Sequence, residues 1–145
     1  MHVFLSYCRE NAQEVATLRD ELMTAGESVW WDQDILPGQD WKLSIRQAMK
    51  QSYAIVLCLS AESQARTVSG IYPEAMGAIE AYRRYAPGST FLIPVRLSEC
   101  EIPPIELDAI RTLDSLQSVD LFPKAKRDEG LARLKQAIRS APLHP

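Results

Sequence analysis

Apolar residues in this chain fall into two arrangements: short uninterrupted runs, and longer stretches with an apolar residue at every third or fourth position. The first suits strands covered on both faces, the second amphipathic helices. His2–Tyr7 (HVFLSY) predicts a first strand. Asn11, with Glu14 three residues on, has the form of a capping box. Val15, Leu18, Leu22 and Ala25 then recur at helical spacing, and Gly26 supplies a stop. Val29–Trp31 predicts a second strand, and a helix over roughly 41–51 places Ile45, Ala48 and Met49 on one side. Tyr53–Leu59 (YAIVLCL) is the best candidate for a central strand. Ser60–Ile71 reads as polar and irregular. Pro73 suits the first position of a helix reaching about residue 85, which Pro87-Gly88 ends. Thr90–Val95 (TFLIPV) predicts a fourth strand with Pro94 near its end. Beyond it the pattern weakens: Ile105–Leu113 is expected to hold a turn or two of helix, and Ser118–Leu121 an edge strand. Lys126–Ser140 closes the chain as a helix with Leu131, Leu134 and Ile138 inward.

Strands alternating with helices of this length imply βαβ units. The predicted fold class is α/β, three-layered and flavodoxin-like, with a five-stranded parallel sheet of order 2-1-3-4-5. Ligands of such sheets bind outside the carboxyl ends of the strands. That rule selects Tyr7–Asn11, Asp32–Trp41, Ser60–Glu74 and Val95–Pro104 as the functional rim. A length of 145 residues suits one domain, 1–145.

Composition narrows the function. Apolar residues at 46% and charged residues at 24% describe a globular chain, and a formal charge of -3 disfavours a general nucleic-acid or membrane surface. Three cysteines, Cys8, Cys58 and Cys100, without CxxC spacing suggest reduced thiols and a cytoplasmic setting. His2 and His144 stand at opposite ends of the chain, which argues against a His-based metal site or triad. No apolar run approaches membrane-spanning length.

The stretch Trp30–Trp41 (WWDQDILPGQDW) concentrates candidate chemistry. Two tryptophans end the second strand, and Leu36-Pro37-Gly38 has the residues of a tight turn. Asp40 stands where a helix N-cap belongs. On shape alone, a functional loop and a plain turn fit equally. Several occupants of the fold are excluded. A phospho-receiver needs acidic residues after strand one and a phospho-acceptor Asp after strand three, where this chain has Ser6-Tyr7 and Leu59-Ser60. A flavin-phosphate loop is not supported by SYCREN, and neither GxGxxG nor GxxxxGK[ST] occurs.

Phe4-Leu5-Ser6-Tyr7 followed by Cys8-Arg9-Glu10-Asn11 resembles the first box of Toll/interleukin-1 receptor (TIR) domains. Asp32, Leu36, Pro37, Gly38 and Trp41 match the second box, the BB loop of that family. Leu59-Ser60 with Ser63 matches a motif after its third strand, and Ile93-Pro94-Val95 its fourth strand. The resemblance runs over nearly the whole chain and is similar to bacterial TIR domains. The Phe-Trp pair of the animal third box is not evident, and Val119-Asp120-Leu121 stands near its place.

The resemblance implies an NAD+ glycohydrolase or cyclase that self-assembles, in anti-phage immunity. NAD+ is then substrate, with no cofactor and no metal, and a sensor domain or partner protein would lie outside these residues. The implied catalytic residue is Glu74. Its helical wheel at about 100° per residue independently sets Glu74 on the arc of Ala78, Ala81 and Tyr85, with Glu80 on a solvated face. A first-turn Glu also complements the helix dipole, which stays open as the plain reading. The family often has Trp four residues before the glutamate, where this chain has Gly70; Tyr72 is the nearest aromatic. Other substrate-binding candidates are Tyr7, Arg9, Asp34, Leu36, Ser60 and Ser63. Arg9 could meet the pyrophosphate or stand as a solvated rim charge, and the two serines are equally cap hydroxyls. Asp32, Pro37, Gly38 and Trp41 are assigned to the BB loop and assembly. The alternative is a non-catalytic scaffold or adaptor acting by TIR–TIR contact.

Overall fold

The computed structural model describes residues 1–66 and 72–145. Five strands, β1 (His2–Ser6), β2 (Val29–Trp31), β3 (Ser52–Leu59), β4 (Phe91–Arg96) and β5 (Val119–Asp120), form one sheet in the order β2-β1-β3-β4-β5. Every pairing is parallel, as the alternation of apolar runs and helical stretches required. All eight residues of β3 are buried. That burial explains why its sequence shows no polar alternation.

The helices are α1 (Ala12–Thr24), α2 (Trp41–Lys50), the short α3 (Ala61–Ala65), α4 (Pro73–Tyr85) and α5 (Arg127–Arg139). Val15, Leu18 and Leu22 of α1 join Leu131, Leu134 and Ile138 of α5 against one face of the sheet. Ala48 and Met49 of α2 join Ala75, Ala78 and Ile79 of α4 on the other. Each fully buried Leu or Ile contributes about 1.5–3 kcal/mol of transfer free energy, so these two layers dominate stability. Leu97 N donates to Leu59 O and Arg96 O accepts from Leu121 N, so alternation along β4 turns Pro94 toward the β5 side. Because β5 begins only opposite Val95, the missing Pro94 N–H interrupts no ladder bond.

Three local expectations are corrected. Asn11 forms no capping box: residues Arg9–Asn11 make a 3-10 turn and the Asn11 side chain accepts no cap bond from a backbone N–H. Its Oδ1 instead accepts from the buried Ser60 hydroxyl at 2.6 Å, a demand that outweighs an exposed cap. The stretch after β3 is not wholly irregular, since Ser60 caps α3 reciprocally with Ser63. Residues 105–112 form no helix, and only a 3-10 turn begins at Leu113; Glu106 and Thr112 make an antiparallel bridge. The Asp108 carboxylate there accepts from the N–H groups of Ile110 and Arg111 at 2.9 and 2.7 Å. An Asp side chain competing for backbone donors in this way favours a turn over a helix. The expectations placed on 67–71, including Gly70 at the position of the family tryptophan, lie outside the described residues.

Candidate functional site

The loop after β2 is shaped by its own residues. Gln39 N donates to Leu36 O at 3.0 Å across Pro37-Gly38. Gly38 has φ +88°, so Leu36–Gln39 is a type II turn with Pro and Gly at the positions that demand them. Asp40 then caps α2, its Oδ1 accepting from Leu43 N at 2.8 Å. The turn and cap together deliver Trp41 to the mouth of a cleft between α2 and α4.

That cleft has a volume of about 530 Å³. Small-molecule sites run from roughly 300 to 1,000 Å³. Its floor is the carboxyl end of β1, Phe4 through Tyr7, with Trp30 and Asp32 beside it. Its walls carry both signs of charge: Lys42, Arg46 and Arg84 against Asp32, Glu74 and Glu80. Tyr85 closes the far end, with the Arg46 guanidinium 5.1 Å from its ring centre.

Glu74 lies in the first turn of α4 and borders the cleft. Its side chain is 36% exposed and its Oε2 lies 3.0 Å from Arg66 Nη1. Arg66 reaches Glu10 Oε2 as well, at 3.3 Å. Glu10 also accepts from the Cys8 thiol at 2.8 Å and from Arg9 Nε at 3.3 Å. The Cys8 hydrogen bond is the main reason the Glu10 carboxyl is held down to about 2. Burial pushes the Cys8 thiol up. Hydrogen bonds to Cys8 and Glu74 raise the Arg66 guanidinium further.

Of the residues chosen from sequence, Tyr7, Asp32, Trp41 and Glu74 meet in the cleft. Tyr7 donates its hydroxyl to Asp32 Oδ1 at 2.5 Å and accepts from Gln33 Nε2 at 3.1 Å. Burial, then the Asp32 bond, pushes the Tyr7 phenol well up, so it stays protonated. The others are placed elsewhere. Arg9 points to solvent and pairs with Glu10. Asp34 turns back to accept from Trp31 N at 3.1 Å. Leu36 stands outside the cleft at 62% exposure. Ser60 and Ser63 are buried in the α3 cap, each hydroxyl accepting from the other residue's N–H. Tyr72 is fully buried and donates its hydroxyl to Cys58 O at 2.5 Å, so its ring offers no face to the cleft. Glu80 is exposed as the wheel indicated, but also reaches the rim.

Sequence reasoning missed Arg66, Arg46 and Arg84. The helical wheel that pointed to Glu74 sets Arg84 beside Glu80 on the solvated side, yet both line the cleft. No spacing rule relates Arg66 to Glu10, 56 residues apart. Among the described residues no group of His, Cys, Asp and Glu could hold a metal ion, and no helix is long and apolar enough to cross a membrane.

A family model for the TIR domain matches residues 3–135. Among solved structures, the chain is similar to the TIR domain of the Toll-related receptor TRR-2 from the lower metazoan Hydra magnipapillata, at 20% identity and a TM-score of 0.70. That likeness covers 97% of this chain and 100% of that one. A prokaryotic SEFIR domain is similar at 17% identity and a TM-score of 0.61, covering 94% of this chain and 97% of that one. At these identities the two structures speak for the fold alone. No curated protein is significantly similar to the chain.

Proposed function

The chain belongs to the TIR domain family, and on that premise we propose that it is an NAD+ glycohydrolase whose reacting carboxylate is Glu74. One observation carries the reading: a partly exposed carboxylate borders a ligand-sized cleft at the carboxyl ends of the strands. Cleavage of the nicotinamide–ribose bond passes through an oxocarbenium-like centre, as glycoside hydrolysis does. The leaving pyridinium is already cationic, departs neutral and needs no general acid. A single carboxylate that stabilises or captures the ribosyl cation can therefore suffice. Mixed charge on the cleft walls suits a substrate carrying a cationic ring and an anionic pyrophosphate. Water as acceptor yields ADP-ribose, and an adenine nitrogen yields a cyclic form. Self-assembly is part of the proposal, with a bacterial immune role as its setting.

The test is NAD+ loss and nicotinamide release by the purified chain, dispersed and forcibly clustered. Clustered wild type should turn over NAD+ about a hundredfold or more faster than clustered Glu74→Ala, the scale of losing one charge-stabilising group. Equal, slow consumption by the two would remove Glu74 from the chemistry. Chromatography of the products separates ADP-ribose from cyclic forms.

The scaffold reading keeps one observation of its own. Leu36, Trp41 and Leu43 at the loop and the start of α2 are 62%, 56% and 48% exposed, an apolar group suited to protein contact. If Trp41→Ala abolishes self-association while no variant affects NAD+, the scaffold reading stands alone.

A further inference from the structure

We propose that Arg66 is a positioning residue that restrains the cleft carboxylate: its guanidinium holds Glu74 in a neutralised pair, and turning fully onto Glu10 releases it. The proposal rests on the reading of Glu74 as the reacting group. Arg66 Nη1 stands 3.0 Å from Glu74 Oε2 and 3.3 Å from Glu10 Oε2, so one nitrogen is shared between two carboxylates. Arg66 Nη2 reaches Glu74 Oε1 only at 3.5 Å, the weak end of a hydrogen bond. A carboxylate that stabilises a ribosyl cation must present negative charge not already compensated. A guanidinium in contact cancels that charge and also repels a second cation brought to the same place.

The exchange never leaves the guanidinium without a partner. Glu10 is anchored by Cys8 and Arg9, and remains an acceptor for Arg66 after Glu74 is let go. The side chains of Arg66 and Glu74 are 22% and 36% exposed, so water screens the bridge and keeps it weak enough to break. The three groups come from the β1–α1 connection, the end of α3 and the first turn of α4. A small displacement of α3 against α4 therefore decides which carboxylate holds the guanidinium.

The experiment measures kcat and KM for NAD+ in dispersed and clustered protein. Wild type is compared with Arg66→Gln, Arg66→Lys, Glu10→Gln and Glu74→Ala. Arg66→Gln should raise kcat of the dispersed protein about fivefold, the population shift that a partly exposed ion pair can supply. KM should change little, and Arg66→Lys should keep the restraint. Glu10→Gln leaves Arg66 unchanged but removes its second acceptor's charge, so it should lower kcat. A merely structural role would move the Arg66 and Glu10 variants in the same direction. The proposal is overturned if Arg66→Gln leaves kcat unchanged or lowers it while clustered wild type is active and Glu74→Ala is not. If clustered wild type consumes no more NAD+ than Glu74→Ala, the reading of Glu74 fails, and this restraint with it.

Discussion

Gly130 is where the outer helix meets the edge of the sheet most closely, and replacing it with alanine tests how rigid that junction is. A Cβ built on Gly130 would stand 2.0 Å from Asp120 O and 3.2 Å from a Leu121 methyl. The obstacle at 2.0 Å is backbone, which cannot rotate away. Asp120 is further pinned by Arg96, whose Nε and Nη2 donate to its two carboxylate oxygens at 2.8 Å each. The helix cannot retreat freely either, because Leu134 and Ile138 of α5 are fully buried. Helix propensity alone favours Ala over Gly by about 1 kcal/mol. Overpacking typically costs about 1–3 kcal/mol, and contact with fixed backbone puts this site at the upper end. The net expectation is a loss of about 2 kcal/mol, or about 6 °C in Tm for a chain of this size. Gly77→Ala is the matched control, since a Cβ there meets nothing within 4 Å and the residue lies inside α4. It should gain about 0.5–1 kcal/mol. Thermal and denaturant unfolding of both variants reads the difference. A Gly130→Ala protein at least as stable as wild type would refute the close approach of α5 to β5.

Two perturbations of the loop should act on its shape. Gly38→Ala meets no atom within 4 Å, so its cost of about 1–2 kcal/mol comes from the left-handed φ alone, read as a lowered Tm. Asp40→Ala removes the bond to Leu43 N and should cost about 1 kcal/mol, with fraying at the start of α2 visible in hydrogen exchange. Acid should destabilise the fold by a defined route. Hydrogen bonds from Arg127 lower the Glu21 carboxyl from 4.5, and those from Arg96 lower the Asp120 carboxyl from 3.8. Both are therefore protonated more readily when unfolded, so their contribution is complete above about pH 4.5 and is lost as pH falls through the lowered folded values. Burial lowers His2 from 6.5, which adds a shallower loss starting below that pH. Tm measured from pH 7 to 3 should fall throughout, and a flat profile would contradict these pairings.

Much of the architecture follows from local pattern. The apolar runs, the Pro73 start of α4 and the Asp40 cap are visible as residues, because each rule concerns neighbours within one turn or one strand. The sheet has the flavodoxin-like order that five alternating strands suggested. The same rules placed Glu74 on the inner side of its helix. They failed where a polar side chain had two possible partners. Asn11 could serve α1 or the Ser60 hydroxyl, and the buried hydroxyl took it. Tyr72 could stack on a ligand or bond Cys58 O, and full burial decided for the carbonyl.

Sequence by itself thus determined the five strands, the four longer helices, the sheet order, the turn at Leu36–Gln39 and the end of the sheet where the cleft opens. Tertiary structure alone decided which charges share that end. Arg66 meets Glu74 and Glu10, and Lys42 and Arg46 of α2 line the same cleft as Glu74 and Glu80 of α4. The reason is range: periodicity and capping act over a few residues, whereas a guanidinium selects its carboxylate only after three separate elements have packed against one sheet.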